Sequence, residues 1–487
     1  MTNKLRMSFA WSFASRYLVI SLNFVSVIVL ARLLTPEEIG IFSIAVALLA
    51  IGQVIRDFGI SDYIILEKDL TKSKLASAFT ISLSICYSLV ALFYFLKGPI
   101  ASYYGRPEIE DVISLLLINF LLIPFGTLTL SVLKREMQFQ KLMLVEVSST
   151  VVNCTVSISL AYLGFSYMSL GWAAISGTAT TIALLIFFRP AIIPWLPGFR
   201  SIPAVISFGW KMSWSYIANH LTRSAPEIIV GKAIDAQAVA LLGKGLATTS
   251  MFTDLVYQGM LQVIQPYFAQ IKHSDGDLKG VFFYSTTALT AVAWPFFSFF
   301  ILMSDEVVLF LFGDQWTASA PLLQLASLAA MIYFSITLTE RILVTQGKTG
   351  KVAQLHTFYL IITIILLIIT AQISLYAVAA AFVAEKAIRA IILYRELGKC
   401  MSVTLADFKP MFVQSGGVTL LCIATIVAIQ FSGITATWNE FWSLLLTGIC
   451  FVAAWLGGLY LFRHPLHTEV TNIVLTVKQR ILKQAAS

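Results

Sequence analysis

The chain has 487 residues, of which 58% are hydrophobic and only 12% charged, with a net charge of +8 and a mean hydropathy of +0.85. A soluble domain carries about a quarter charged residues, and no soluble core could hide this much apolar surface, so lipid is the solvent for most of the chain. The basic balance alone would suit nucleic acid, but the lysines and arginines are spread between apolar runs, which removes that reading's main support.

A membrane span needs about 20 apolar residues, and the hydropathy pattern predicts an all-α polytopic membrane protein with about fourteen of them. They fall near 9–33, 39–60, 75–96, 112–133, 142–163, 168–188, 207–231, 237–263, 281–303, 319–341, 353–372, 375–394, 411–431 and 441–462. The basic start, MTNKLRMSFAWSF, lacks a small-residue cleavage site and reads as the cytosolic lead into the first span. Alternate connecting segments then hold most of the 33 basic residues, among them Lys68, Lys72, Lys134, Arg135, Lys272, Lys348, Arg395 and Arg463. The intervening segments hold only Lys97 and Arg106. Under the positive-inside rule both termini are cytosolic.

Two outer segments are longer than a turn. Residues 97–111 read as a short interfacial helix with tyrosines at the headgroups, and 304–320 as an acidic, apolar-striped segment with Trp316 in the interface. The basic tail 464–487 has helical apolar spacing beside Lys478, Arg480 and Lys483, and suits either the anionic inner leaflet or solvent. Five scattered cysteines have no metal spacing and read as buried thiols.

The hairpin at Ala31–Ile60 sets a pattern. Thr35-Pro36-Glu37-Glu38 turns the chain, with Pro36 suited to a first helical turn and two acids at the positive end of the helix dipole. Residues 33–46 can be laid over 233–246, a shift of 200 residues. The expected organisation is two six-helix lobes in parallel repeat. These are an N-terminal lobe at 1–190 and a C-terminal lobe at 207–395, joined by a cytosolic linker at 191–206. Two further spans follow at 396–463, then the tail at 464–487.

Ionisable groups within spans cost about 2.5–3.5 kcal/mol or more, so they line water or find partners. Span 1 carries Arg16 and Asn23 on one face. Span 2 ends at Arg56-Asp57, which serves equally well as a structural pair at the rim. Span 7 carries Tyr216, His220, Arg223 and Glu227 as one polar stripe, interrupted by Pro226. Span 8 carries Lys244 and Asp254. Glu340, Arg341, Glu385, Lys386 and Arg389 lie near cytosolic ends and read as snorkelling or headgroup-paired. The expected substrate-binding set is Arg16, Asn23, Arg56, His220, Arg223 and Lys244, with Asp57, Glu227 and Asp254 in coupling or gating. A cavity richer in cations than anions favours an anionic substrate, and arginine's planar fork suits phosphate. Gly347–Lys351 (GKTGK) lacks the first glycine and the strand of a phosphate-binding loop. No hydrolase or ATPase constellation is visible, so no enzymatic activity, cofactor or metal is expected.

The hairpin ARLLTPEEIGIFSIA, the following IRDFGISDYIILEKDL, LKREMQFQKLMLVE after span 4 and LFLFGDQWTASAPLLQLAS before span 10 resemble bacterial polysaccharide flippases, especially exporters of the colanic-acid type. These belong to the multidrug/oligosaccharidyl-lipid/polysaccharide superfamily. The resemblance covers most of the first 340 residues. It implies two six-helix lobes working by alternating access, and an undecaprenyl-pyrophosphate-linked oligosaccharide moved from the cytosolic to the periplasmic leaflet of a bacterial inner membrane. It also implies membrane lipids, a counter-ion (H+ or Na+) and a polysaccharide polymerase as partners. VALLGKGLATT departs from the tyrosine–arginine–alanine pattern expected there, which sets Lys244 in place of an arginine. The rival readings are a cation-coupled multidrug exporter, which prefers an acidic cavity, and a membrane glycosyltransferase or polymerase, which needs larger outer loops.

Overall fold

The computed structural model describes residues 3–57, 59–200, 202–434 and 438–468, and among the described residues there is helix but no strand. Two compact units divide the chain, Met1–Ala240 and Leu241–Ser487.

The first unit begins with α1 (Asn3–Leu33) and α2 (Pro36–Asp57). The turn between them is held by a reciprocal cap. The Glu38 N–H donates to the Thr35 hydroxyl at 3.3 Å, and the Thr35 N–H donates to the Glu38 carboxylate at 2.7 Å. A one-turn-plus helix, α3 (Ile60–Leu66), follows Gly59, whose φ of 62° needs glycine. Then come α4 (Lys72–Tyr104), α5 (Glu108–Leu122), α6 (Pro124–Arg135), α7 (Phe139–Tyr162), α8 (Met168–Phe187) and α9 (Ile202–Ala233). The next helix, α10 (Ala236–Phe252), crosses the boundary between the units. It is capped by Asp235, whose carboxylate accepts from the Ala238 N–H at 2.7 Å. The two caps, Thr35 and Asp235, and the two helix starts, Pro36 and Ala236, are 200 residues apart.

Three sequence expectations change here. The 97–111 segment is not a separate interfacial helix. The fourth helix runs on through Pro99 to Tyr104, stops at Gly105 (φ 68°), and α5 starts at Glu108. The stretch expected as one span at 112–133 is two helices, bent by 53° where Pro124 opens α6. Proline cannot supply the N–H that would continue the ladder, so the bend falls there. By contrast, α9 passes through Pro226 without a break.

The LKREMQF motif also finds a physical role. Arg135, in the last turn of α6, donates to the carbonyls of Ile64 at 2.6 Å and Lys68 at 3.3 Å, closing the end of α3. In the adjoining loop, the Lys74 ammonium hydrogen-bonds the Glu67 carboxylate at 2.9 Å and holds it below the usual carboxyl range. The 191–206 linker is docked rather than loose where it meets α4. The Gly198 N–H donates to the Thr80 hydroxyl at 2.9 Å, and that hydroxyl donates back to the Gly198 carbonyl at 2.8 Å.

In the second unit a π turn at Thr253–Tyr257 leads into α11 (Gln258–His273). It is followed by α12 (Leu278–Leu302), α13 (Ser304–Phe312), a 3-10 turn at Asp314–Ser319, α14 (Ala320–Thr345), α15 (Thr349–Ala371) and α16 (Leu375–Met401). The core is aromatic, with Phe252, Phe282, Phe297 and Phe334 buried together. Two last helices, α17 (Lys409–Ser432) and α18 (Glu440–Leu461), complete the unit. They pack as membrane helices do, through small residues and polar links. A Cβ on Gly417 would lie 2.5 Å from the Phe462 ring. The Ser415 hydroxyl donates to the Thr287 carbonyl at 3.0 Å, and the Trp455 indole N–H to the Ala291 carbonyl at 2.8 Å.

Just past α18, His464 is 2% exposed, and its Nδ1 accepts the Leu466 N–H at 3.1 Å. Burial lowers its pKa to about 4, against about 6.5 in the unfolded chain. The unfolded state therefore binds the extra proton between pH 6.5 and 4, and stability falls as pH drops through that window. Thermal unfolding in detergent at pH 7.5 and pH 5 should show a drop in Tm that shrinks in His464→Asn. An equal drop in both proteins would contradict the assignment.

Among the described residues ten helices are long and apolar enough to cross a membrane, or eleven if the bent α5–α6 pair is one span. The other three expected spans are the helices α9, α10 with its continuation to α11, and α16. They are the stretches that carry His220, Arg223, Glu227, Lys244, Asp254, Glu385, Lys386 and Arg389.

Candidate functional site

The first unit holds seven of the predicted residues, Asp57 among them. Arg16 and Asn23 are exposed on α1, seven residues apart and on one face. Beside Arg16, the buried Ser15 hydroxyl donates to Glu146 of α7 at 2.8 Å. Arg56 is half-buried, its guanidinium 5.8 Å from the centre of the Phe120 ring. On α9, His220 and Arg223 are exposed and Glu227 is half-buried, at spacings of three and four that give one stripe. The Glu227 Oε2 is buried and has no hydrogen-bond partner among the described residues. An exposed arginine two-thirds of the way along a helix of this fold is stable against water, not hydrocarbon. The side chains of Asp57, Tyr216 and Asp254 lie outside the described residues. The backbone at Asp254 is in the π turn, a form of helix often found at functional positions.

Lys244 lies in the second unit, 8% exposed. Its ammonium sits 5.0 Å from the Phe312 ring centre and 4.9 Å from that of Trp316. This is a cation between aromatic faces. Trp316 itself is 0% exposed, so it is a core residue and not an interfacial anchor. Gly313, with φ 93°, makes the turn that inserts it. The GDQW motif is thus a packing device that covers Lys244.

The densest charge cluster among the described residues lies on α16. Of the two readings for Glu385, snorkelling or pairing, the structure has the pair: its side chain is 4% exposed between Arg389 (2.8 Å) and Lys386 (2.6 Å). The Arg389 guanidinium also lies 4.2 Å from the Tyr359 ring centre. Glu340, on α14, faces His356 of α15 at 3.4 Å. Three charges within five residues of one helix could have signalled this, because one turn cannot send them all to the same headgroup layer. A cleft of about 480 Å³ in the first unit is lined by Lys68, Asp69, Arg135 and Glu136, among others. It balances acids with bases and contains none of the predicted residues, so it is not the cationic site.

Long apolar helices, a charged stripe on an exposed helical face and a second charge cluster inside one unit define a multi-pass, all-helical membrane protein. The fold matches that of a solved structure, the lipid II flippase MurJ in an inward closed conformation. The TM-score is 0.74 at 16% identity, covering 94% of this chain and 99% of that one. By sequence, the chain is 25% identical over 326 residues to the succinoglycan biosynthesis transport protein ExoT of Rhizobium meliloti (strain 1021). It is 21% identical over 328 residues to the lipopolysaccharide biosynthesis protein WzxC of Escherichia coli (strain K12). These alignments span 66% of this chain in each case, and 65% and 66% of the two relatives, just under two thirds of their length. Residues 29–321 match the polysaccharide biosynthesis protein family, and the chain belongs to that family.

Proposed function

We propose that this protein flips a lipid-linked oligosaccharide, carried on undecaprenyl pyrophosphate, from the cytosolic to the periplasmic leaflet of a bacterial inner membrane. The observation that carries the reading is the exposed His220–Arg223 stripe of α9, set in a fold shared with a lipid II flippase. A sugar head with two phosphates cannot cross hydrocarbon, whereas its lipid tail can remain there. A water-lined cationic surface open to the bilayer serves both ends of such a molecule. Arg16, Arg56 and Arg223 bind phosphate, Asn23 and His220 offer hydrogen bonds, and Lys244 adds charge once Trp316 and Phe312 move off it.

The lobes at 1–190 and 207–395 work by alternating access, with both termini cytosolic. Moving one anionic charge outward across 100 mV gains about 2.3 kcal/mol, so the substrate's own charge contributes to the drive. Asp57, Glu227 and Asp254 act in coupling or gating, neutralising the arginines at release or exchanging a counter-ion (H+ or Na+). A polysaccharide polymerase is the natural consumer of the product.

Deleting the gene in the native host should stop surface polysaccharide and leave lipid-linked repeat units on the cytosolic leaflet. Undiminished surface polysaccharide after deletion would overturn the reading.

A further inference from the structure

The motif LKREMQFQKLMLVE holds more than the Arg135 clasp explains. Its second residue, Lys134, and its last, Glu146, line one cleft of about 260 Å³ together with Phe139, Leu142 and, from α1, Ser15. All of these belong to the first unit. The Glu146 carboxylate is held by the buried Ser15 hydroxyl, which donates to it at 2.8 Å.

Glu146 is exposed on the buried side of its helix. Leu142, four residues before it, and Ser157, eleven after it, share its face and are buried. Leu144 and Val151, exposed on the opposite side of α7, mark the outward face. The carboxylate therefore opens on space inside the bundle and not on hydrocarbon. The same inner face continues with Thr150 and Asn153, four and seven residues on, both half-buried. The Thr150 hydroxyl donates to the Glu146 carbonyl at 2.8 Å, a bond that leaves its oxygen able to accept. Gly177 of α8 makes room for Asn153, since a Cβ there would lie 3.2 Å from the Asn153 Cβ.

These groups suit a sugar better than an ion. The carboxylate repels phosphate and Lys134 repels a cation, whereas a sugar hydroxyl donates to the first and accepts from the second. Phe139, half-buried in the wall, offers an apolar surface to the C–H face of the ring. The cleft is smaller than the about 300–1,000 Å³ of pockets for drug-sized ligands, so it suits one ring and not a whole oligosaccharide. Arg16, a phosphate ligand in the reading above, follows Ser15 on α1. A pyrophosphate held by Arg16 has its first sugar beside this cleft.

We propose that Lys134, Glu146, Thr150 and Asn153 form a sugar subsite, which takes the pyranose attached directly to the pyrophosphate by its hydroxyls. The proposal rests on the flippase reading above and adds the place where a sugar-bearing lipid is told from bare carrier. Ser15 is a positioning residue that aims the Glu146 carboxylate.

The test titrates full-length protein in phosphatidylglycerol nanodiscs with two probes. One is bare undecaprenyl pyrophosphate, and the other is the same lipid carrying only the first sugar of the native repeat unit. Wild type should bind the sugar-bearing lipid at least about 10-fold more tightly, the size of one hydrogen bond to a charged group. Glu146→Gln keeps an acceptor for Ser15 but not the charge, and should erase most of that ratio. Asn153→Ala and Ser15→Ala should each reduce it, whereas Arg223→Ala should weaken both lipids and leave the ratio standing. Equal affinity of wild type for the two lipids would overturn the proposal. So would variants at Glu146 and Asn153 that keep the full ratio, or that weaken both lipids alike. If Glu146→Gln does not fold, Asn153→Ala and Thr150→Val decide by the same ratio. If wild type binds neither lipid, the flippase reading itself falls and the subsite with it, a result distinct from binding both equally.

Discussion

On the proposed function, Arg223→Ala is expected to abolish surface polysaccharide export while leaving the amount of protein in the membrane unchanged. Arg223 is exposed on its helix face, so removing it opens no cavity and, among the described residues, leaves no buried partner unpaired. The protein folds as before. What is lost is a charge-assisted, forked hydrogen bond to phosphate, worth about 1.5–3 kcal/mol, or roughly 10- to 100-fold in binding at about 1.4 kcal/mol per decade. Arg16→Ala has the same sign, because Arg16 is exposed on α1 near the start of its span Ala14–Leu33. Lysine in place of Arg223 separates two ways of holding the anion. Partial export means charge suffices, and export as low as alanine's means the planar fork is required. Full export by both alanine variants would remove these residues from the path.

The second large effect is on stability. Glu385→Leu should lower unfolding free energy by about 3–5 kcal/mol, the range for breaking a buried ion pair by removing one partner. The reason is not the lost contact alone. Lys386 and Arg389 lie 2.6 and 2.8 Å from the Glu385 carboxylate, and their side chains are 25% and 12% exposed. Without the carboxylate, two cations share one helical turn with nothing between them. The triple change Glu385→Leu, Lys386→Met, Arg389→Leu should recover most of the loss, since an apolar cluster of like volume can equal a buried ionic one. Thermal unfolding in detergent measures both. A single variant as stable as wild type would mean the charges reach water.

Much of the fold was legible because hydropathy reports lipid contact directly. The apolar runs place the helices, and Thr35-Pro36-Glu37-Glu38 carries the signals for the hairpin turn that the reciprocal Thr35–Glu38 cap completes. The family motifs were legible as text but not as physics. Arg135 proves to be a clasp on the α3 carbonyls, and Trp316 a buried cover over Lys244. Neither role follows from spacing, since each depends on an element far away in sequence. The bend at Pro124 and the unbroken passage of α9 through Pro226 show the same limit. Both are prolines within apolar runs, and tertiary packing decides which one kinks. Snorkelling and pairing stayed open for Glu385 because position along a helix gives depth in the membrane but not which face meets protein. For the cationic stripe, sequence supplied the face of α9 through the spacing of His220, Arg223 and Glu227. It could not supply burial, which separates exposed Arg223 from covered Lys244.

The central claim is transbilayer movement of a lipid-linked oligosaccharide by this chain alone. The direct measurement reconstitutes the purified protein into liposomes with fluorescent undecaprenyl-pyrophosphate oligosaccharide from the native host. A membrane-impermeant reagent then reports how much of the lipid has its sugar outside. The account predicts that the inner pool becomes accessible with wild-type protein and stays protected with Arg223→Ala at equal protein density. Equal accessibility in wild-type, Arg223→Ala and protein-free liposomes would contradict it.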